Sequence, residues 1–135
     1  MDRTRYLDSL RADADLLLRT ASGALGRPVP TCPGWTCERL VGHVGRVWRW
    51  TAAWVRGEVE QAPPGDAVVS WSRTGLDEVV GAIEAADPEA EVDTWVGRQP
   101  ALFWPRRMAV EAALHRVDAQ LAVGDPAPVD TALAL

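Results

Sequence analysis

Apolar residues return at every third and fourth position along four stretches of this chain, and nowhere do they alternate in the period of two that a half-buried strand requires. The first stretch covers Thr4 to Leu25. Leu7, Leu10, Ala14, Leu17, Ala21 and Leu25 share one helical face there, and Gly26 with Pro28 ends it. The second opens with strong local signals. Thr36 caps the free amides, Glu38 sits in the positive first turn, and Trp35, just before the cap, is placed to pack on Leu40. Cys32-Pro33-Gly34-Trp35 ahead of it reads as a turn that fixes how the chain enters the helix. Leu40, His43, Val44, Val47, Thr51 and Trp54 then share a face up to Gly57, so His43 is predicted to point inward.

The third helix is expected over Ser70 to Ala86, burying Leu76, Val79, Val80 and Ile83 and stopping before Pro88. The fourth covers about Ala101 to Val123. In it Val110, Leu114, Val117 and Leu121 read as the central apolar stripe, with Trp104, Met108, Glu111, His115 and Ala122 as a second stripe beside it. Residues 57–69, with Pro63-Pro64-Gly65, read as a surface connection. Residues 88–100 show no steady period yet carry Val92, Trp95 and Val96, and are expected as an ordered loop folded over one end of the bundle. Four amphipathic helices without strands predict an all-α fold, a four-helix bundle over residues 1–124, followed by a tail over 125–135.

A chain of 135 residues has room for one core and not for a second full domain. Seven tryptophans and a 47% apolar fraction argue for a packed globular protein. A net charge of -5, with arginines scattered along the helices and not one lysine, disfavours a nucleic-acid partner and a phosphate loop of the usual kind. The charged start and the lack of any membrane-length apolar run make a soluble, cytoplasmic protein with no membrane partner the expectation. Cys32 and Cys37, spaced C-x4-C, match neither a disulfide framework nor a usual zinc or redox pair and read as free thiols. Cys37 stands in a helix first turn, a position that can lower a thiol pKa, but no general base lies near it in sequence.

The residues with chemistry are few. His43 and His115 are the only histidines, and Glu111 lies one turn before His115 on the same face. A carboxylate in a covered stripe needs a partner, and two readings stay open. Arg107, a turn earlier, can pair with Glu111 as an ordinary ion pair, or Glu111 shares a metal with His115 and His43. Two imidazoles and one carboxylate suit zinc or another borderline divalent ion and leave a coordination position open. Gly42 and Gly45, beside His43, leave space for a ligand or a second helix. Asp118, Arg116, Arg46 and Thr51 are candidate groups for steadying the ligands from behind. Trp48, Trp50, Trp54, Trp71 and Trp104 read as core and rim packing.

The stretches VPTCPGWTCERLVGHVGRVWRW and FWPRRMAVEAALHRVDAQLAVGDP, in that order and separated by a third helix and a DTWVG loop, closely resemble the N-terminal domain of mycothiol-dependent maleylpyruvate isomerases, within the DinB/YfiT-like metal-binding bundles. The resemblance spans nearly the whole chain. It implies metal ligands at His43, Glu111 and His115, zinc as the usual metal, and mycothiol or a related thiol as cosubstrate. It also implies isomerisation of a small electrophile, or thiol transfer to it, with metal-bound thiolate as nucleophile. Arg46 and Arg107 are the residues expected to orient substrate carboxylates. A non-catalytic bundle that binds metal or a small ligand, and a metal-dependent hydrolase, are the alternatives. Val110 stands where the family commonly has a histidine. The family's second, smaller α/β domain is also not here, so residues 125–135 read as a tail or a truncated linker to it. A homodimer through the bundle helices, or that second domain supplied separately, is the partner expected besides the small-molecule thiol and electrophile.

Overall fold

The computed structural model describes residues 1–57 and 67–134. Its four helices are α1 (Arg3–Ser22), α2 (Cys37–Arg56), α3 (Val68–Ala85) and α4 (Phe103–Val123). They form the expected DinB/YfiT-like four-helix bundle. The surface connection expected around Pro63-Pro64-Gly65 lies outside the described residues, but Val68 and Val69 already belong to α3.

Packing divides the bundle into two helix pairs. α1 runs along α4 and α2 along α3, while α2 and α4 meet over a much shorter seam. Leu10, Leu17, Leu18 and Leu40 are fully buried, each contributing about 1.5–3 kcal/mol by leaving water. The α2–α3 pair is close because glycine permits it. A Cβ on Gly45 would stand 2.6 Å from the Trp71 ring and run into Ser72 Oγ, and Ser72 uses that proximity to donate to the Val41 carbonyl at 2.7 Å.

The helix ends follow their local chemistry. Asp2 caps α1 by accepting from the Arg5 amide at 2.9 Å. α1 stops at Ser22 and Gly23, earlier than Gly26 and Pro28 suggest; Ser22 turns its hydroxyl back onto the Arg19 carbonyl, and glycine next to it weakens the helix further. Thr36 caps α2 as expected, and Gly57 ends it in the left-handed conformation at φ 74°.

Two differences from the sequence expectation matter for the site. Residues 92–99 form a hairpin, β1 (Val92–Thr94) against β2 (Gly97–Gln99), antiparallel with Thr94 opposite Gly97. Strands of three residues are too short to show alternation. The turn is held by Thr94 Oγ1, which donates to the Gly97 carbonyl at 2.7 Å and accepts from the Val96 amide at 3.1 Å. Trp104 Nε1 donates to the Asp93 carbonyl and pins the hairpin to the start of α4.

The buried stripe of α4 is also rotated from the expected one. Met108, Ala109, Ala112, Ala113, Arg116 and Ala119 face the core, whereas Leu114 is 56% exposed. Small side chains let α1 approach closely, and this close contact outweighs the larger apolar residues on the neighbouring face. Arg116 sits on that inner face at 2% exposure. Its guanidinium donates to Asp13 and Gln120 at 2.7 Å each, and to the carbonyls of Ala127 and Pro128 at 2.8 and 3.0 Å. It thereby holds the segment after Gly124 against α4, with Leu133 buried at its end.

Candidate metal centre

His43 comes from the second turn of α2 and Glu111 and His115 from α4, so the three meet across the short seam between those helices. One donor atom from each lies within 4.8 Å of the others. The imidazole rings of His43 and His115 stand edge to face, 5.0 Å between centroids. All three side chains are half-buried. Among the described residues this is the one group of three such donors close enough to share an ion.

The loop before α2 builds the wall behind His43. Pro33 and Gly34 occupy the central positions of a turn closed by the Trp35 amide to the Cys32 carbonyl at 2.9 Å, with Gly34 at φ 81°, the geometry that requires glycine at the third place. The same loop returns to satisfy the start of α2, since the amides of Cys37 and Glu38 donate to the carbonyls of Arg27 and Leu25. Trp35 is thereby fixed with its ring 5.2 Å from His43, beneath the Arg39 guanidinium.

His115 is held from behind. Its Nδ1 donates to Asp118 Oδ2 at 2.9 Å, and the other oxygen of Asp118 accepts from Thr31 Oγ1 at 2.6 Å. Nε2 is left facing Glu111 Oε2 at 3.3 Å. Of the four groups considered as supports, Asp118 fills the role. Arg116 is committed to Asp13 and the C-terminal segment, Arg46 borders the cleft at His43, and Thr51 is buried with no hydrogen-bond partner among the described residues.

Both readings of Glu111 hold geometrically. Arg107 Nη2 lies 3.5 Å from Glu111 Oε1, a long, half-exposed contact, and the second carboxylate oxygen faces His115. The electrostatics reflect the crowding. The hydrogen bond from His115 is the largest influence on Glu111 and holds its pKa below the usual value against the effect of burial. Burial would lower His115, yet the hydrogen bonds and charges of Glu111 and Asp118 carry it above the ordinary histidine value. Burial, followed by the charge of His115, pushes His43 down.

Two clefts reach the triad. One, of about 500 Å³, is lined by Trp35, Arg39, Gly42, His43 and Arg46. The other, of about 470 Å³, is lined by Phe103, Arg106, Arg107, Val110 and Glu111. Gly42 opens onto the first cleft, whereas Gly45 serves the contact with α3. Beside the second, Trp50, Trp54, Trp95, Phe103 and Trp104 form a continuous set of rings. Trp48 and Trp104 are core, while Trp50 is 38% exposed at the rim. Cys32 and Cys37 are free thiols. Burial raises the pKa of both, so the first-turn position of Cys37 does not activate it.

Nothing local in the chain marks Trp35 as a wall of the site or Thr31 as a brace. Asp118 had a local sign, its place a turn beyond His115, but a surface aspartate has the same spacing.

The bundle is similar to two crystal structures of mycothiol-dependent maleylpyruvate isomerase. It matches a histidine-to-alanine mutant with a TM-score of 0.71 at 18% identity, and another structure of the enzyme with a TM-score of 0.66 at 19% identity. In each case the alignment covers 92% of this chain and 62% of the other, so this chain spans less than two thirds of those proteins. No curated protein matches it. The model of the mycothiol maleylpyruvate isomerase N-terminal domain matches residues 7–120, and with that extent of agreement the chain belongs to the mycothiol maleylpyruvate isomerase N-terminal domain family.

Proposed function

We propose that this protein is a helical bundle that binds one divalent metal ion at His43, Glu111 and His115 and presents it to a small ligand. The observation that carries the reading is the convergence of the only two histidines and a carboxylate from two helices, with the far nitrogen of His115 already held by Asp118. Metal-binding histidines are characteristically braced in this way. Two nitrogens and one oxygen suit zinc. When bound, such an ion acts as a Lewis acid and lowers the pKa of a ligand thiol or water.

The chemistry we propose for the site is thiol-dependent, either isomerisation of a small electrophile or transfer of the thiol to it, with mycothiol or a related thiol as cosubstrate. Membership of the isomerase-domain family supports it. In this scheme Asp118 holds the proton at His115 Nδ1 and so presents Nε2 as the donor. Arg46, on the His43 side, and Arg107, beside Glu111, orient anionic groups of the ligands. The aromatic rim excludes water from one side, and a second domain or a partner would close the other.

Cobalt substitution tests the reading. The cobalt-loaded protein should show a visible spectrum that changes saturably when a low-molecular-weight thiol is added. A spectrum indifferent to thiols would leave a metal-binding bundle without thiol chemistry. Failure to take up cobalt would overturn the metal site itself.

A further inference from the structure

The apolar stripe that the sequence marks on α4 is not in the core. Val110, Leu114, Val117 and Leu121 lie on the side of the helix turned away from the buried alanine face. Leu114 is 56% exposed and the other three are half-buried. With Phe103 and Arg107 they follow steps of four, three, four, three and four residues. That spacing is the narrow seam by which one helix packs along another in a coiled coil, whereas a bundle helix buries a wider face. Within the chain, α1 and α2 meet α4 on its other sides.

The Glu111-side cleft belongs to this seam. Phe103, Arg106, Arg107 and Val110, which line it, stand at i, i+3, i+4 and i+7, and four residues so placed form the hole that receives a knob from a facing helix. The two ends of the seam carry opposite charge. Arg106 and Arg107 are exposed at the N-terminal end, where the first turn holds no acid. The C-terminal end carries Asp118 and Asp125 and no base in its last turn, and Arg116 is turned inward to Asp13.

Such a face complements itself when the second helix runs the opposite way. Arg106 and Arg107 of each α4 then lie beside the acidic end of the other and near the negative end of its dipole. In a parallel pair Arg107 would face its own copy.

We infer that the outer face of α4 binds a second copy of this chain as an antiparallel, two-fold helix pair. Val117 of the partner subunit seats in the hole formed by Phe103, Arg106, Arg107 and Val110, and Leu114 of each copy packs near the centre. The same patch serves both copies, so the pair is closed and admits no third. The seam is about 30 Å long and sits at the small end of specific interfaces, below roughly 1,200 Å², so association is reversible in the micromolar range. It goes beyond the proposed function and needs no metal.

Sedimentation equilibrium from micromolar to near-millimolar concentration tests the inference. Wild type should pass from monomer to dimer as concentration rises. Leu114→Asp, at an exposed position where substitution leaves the fold intact, should weaken the dimer by at least about 10-fold. Val96→Asp, at a similarly exposed apolar position on the hairpin, should leave it unchanged. Arg107→Gln should weaken the dimer by about 3-fold, the effect of losing an exposed charge pair, whereas in a parallel pair it would relieve repulsion and tighten it. Circular dichroism matching the wild type accompanies each variant. A monomer at every concentration would overturn the inference and leave the seam to a different partner. A dimer undiminished in Leu114→Asp, an equal loss in Val96→Asp, or an unchanged or tighter dimer in Arg107→Gln would each overturn it too.

Discussion

Asp118 Oδ2 lies 2.9 Å from His115 Nδ1 while its other oxygen is anchored by Thr31 at 2.6 Å, so the loop before α2 determines which nitrogen His115 presents to Glu111. Thr31 and Asp118 are far apart in sequence, and the contact ties the loop that carries Trp35 to the helix that carries two of the three donors.

Asp118→Ala should therefore weaken metal binding by about 10- to 100-fold, the usual cost of losing a hydrogen-bonded support behind a ligand. Thr31→Val should have a smaller effect in the same direction. Competition against a chromophoric chelator measures both, and equal affinity in Asp118→Ala and wild type would remove Asp118 from the site.

Gly45→Ala should destabilise the fold by about 1–3 kcal/mol, the cost of forcing extra volume into a packed contact. Its Cβ would press on Ser72 and the Trp71 ring, and the better helix propensity of alanine recovers about 1 kcal/mol at most. Gly42→Ala, whose nearest neighbour would be Val68 at 3.6 Å, should be close to neutral. Urea unfolding of the two variants distinguishes them, and a neutral Gly45→Ala would mean that α2 and α3 are not so closely packed.

Asp13→Ala removes the carboxylate partner of a guanidinium that is 2% exposed. Breaking a buried pair costs about 3–5 kcal/mol, and the lower end is expected because Gln120 and two backbone carbonyls still bind Arg116. Chemical denaturation reads the loss. A change under 1 kcal/mol would contradict the role given to this pair.

In metal-free protein the two histidines should titrate on opposite sides of the ordinary value of about 6.5, His43 below and His115 above. The linkage signs follow. The contribution of His115, whose pKa is raised, is full below about pH 6.5 and fades as pH rises through its folded pKa. The contribution of His43, whose pKa is lowered, is present above about pH 6.5 and fades as pH falls through its folded pKa. NMR titration of the two imidazole signals, assigned with single variants, checks the order. His115 titrating below His43 would contradict the hydrogen bonds drawn to Glu111 and Asp118.

Much of this was legible in the chain itself. Thr36, Gly57 and the spacing of Leu40, His43, Val44 and Val47 defined α2 and turned His43 inward, because caps and periodicity act locally. Glu111 and His115 were paired by helical spacing alone. Long-range packing was not legible. The alanine face of α4 carries little hydrophobic signal to mark it as the core, and Arg116 among those alanines, expected as a support for the metal ligands, shows no sign of its true partners until Asp13 and the C-terminal segment are brought to it. The hairpin escaped because its strands are only three residues long, and its hold on α4 comes from an indole eleven positions away. The open cleft beside Glu111 depends on that hairpin and was equally hidden.

The measurement that bears most directly on the central claim is elemental analysis of purified protein after loading with zinc and removal of excess, for wild type beside His43→Ala, Glu111→Ala and His115→Ala. The account predicts close to one zinc per wild-type chain and little in any of the three variants, each still helical by circular dichroism. A folded wild type that retains no zinc, or zinc retained undiminished in all three variants, would contradict it.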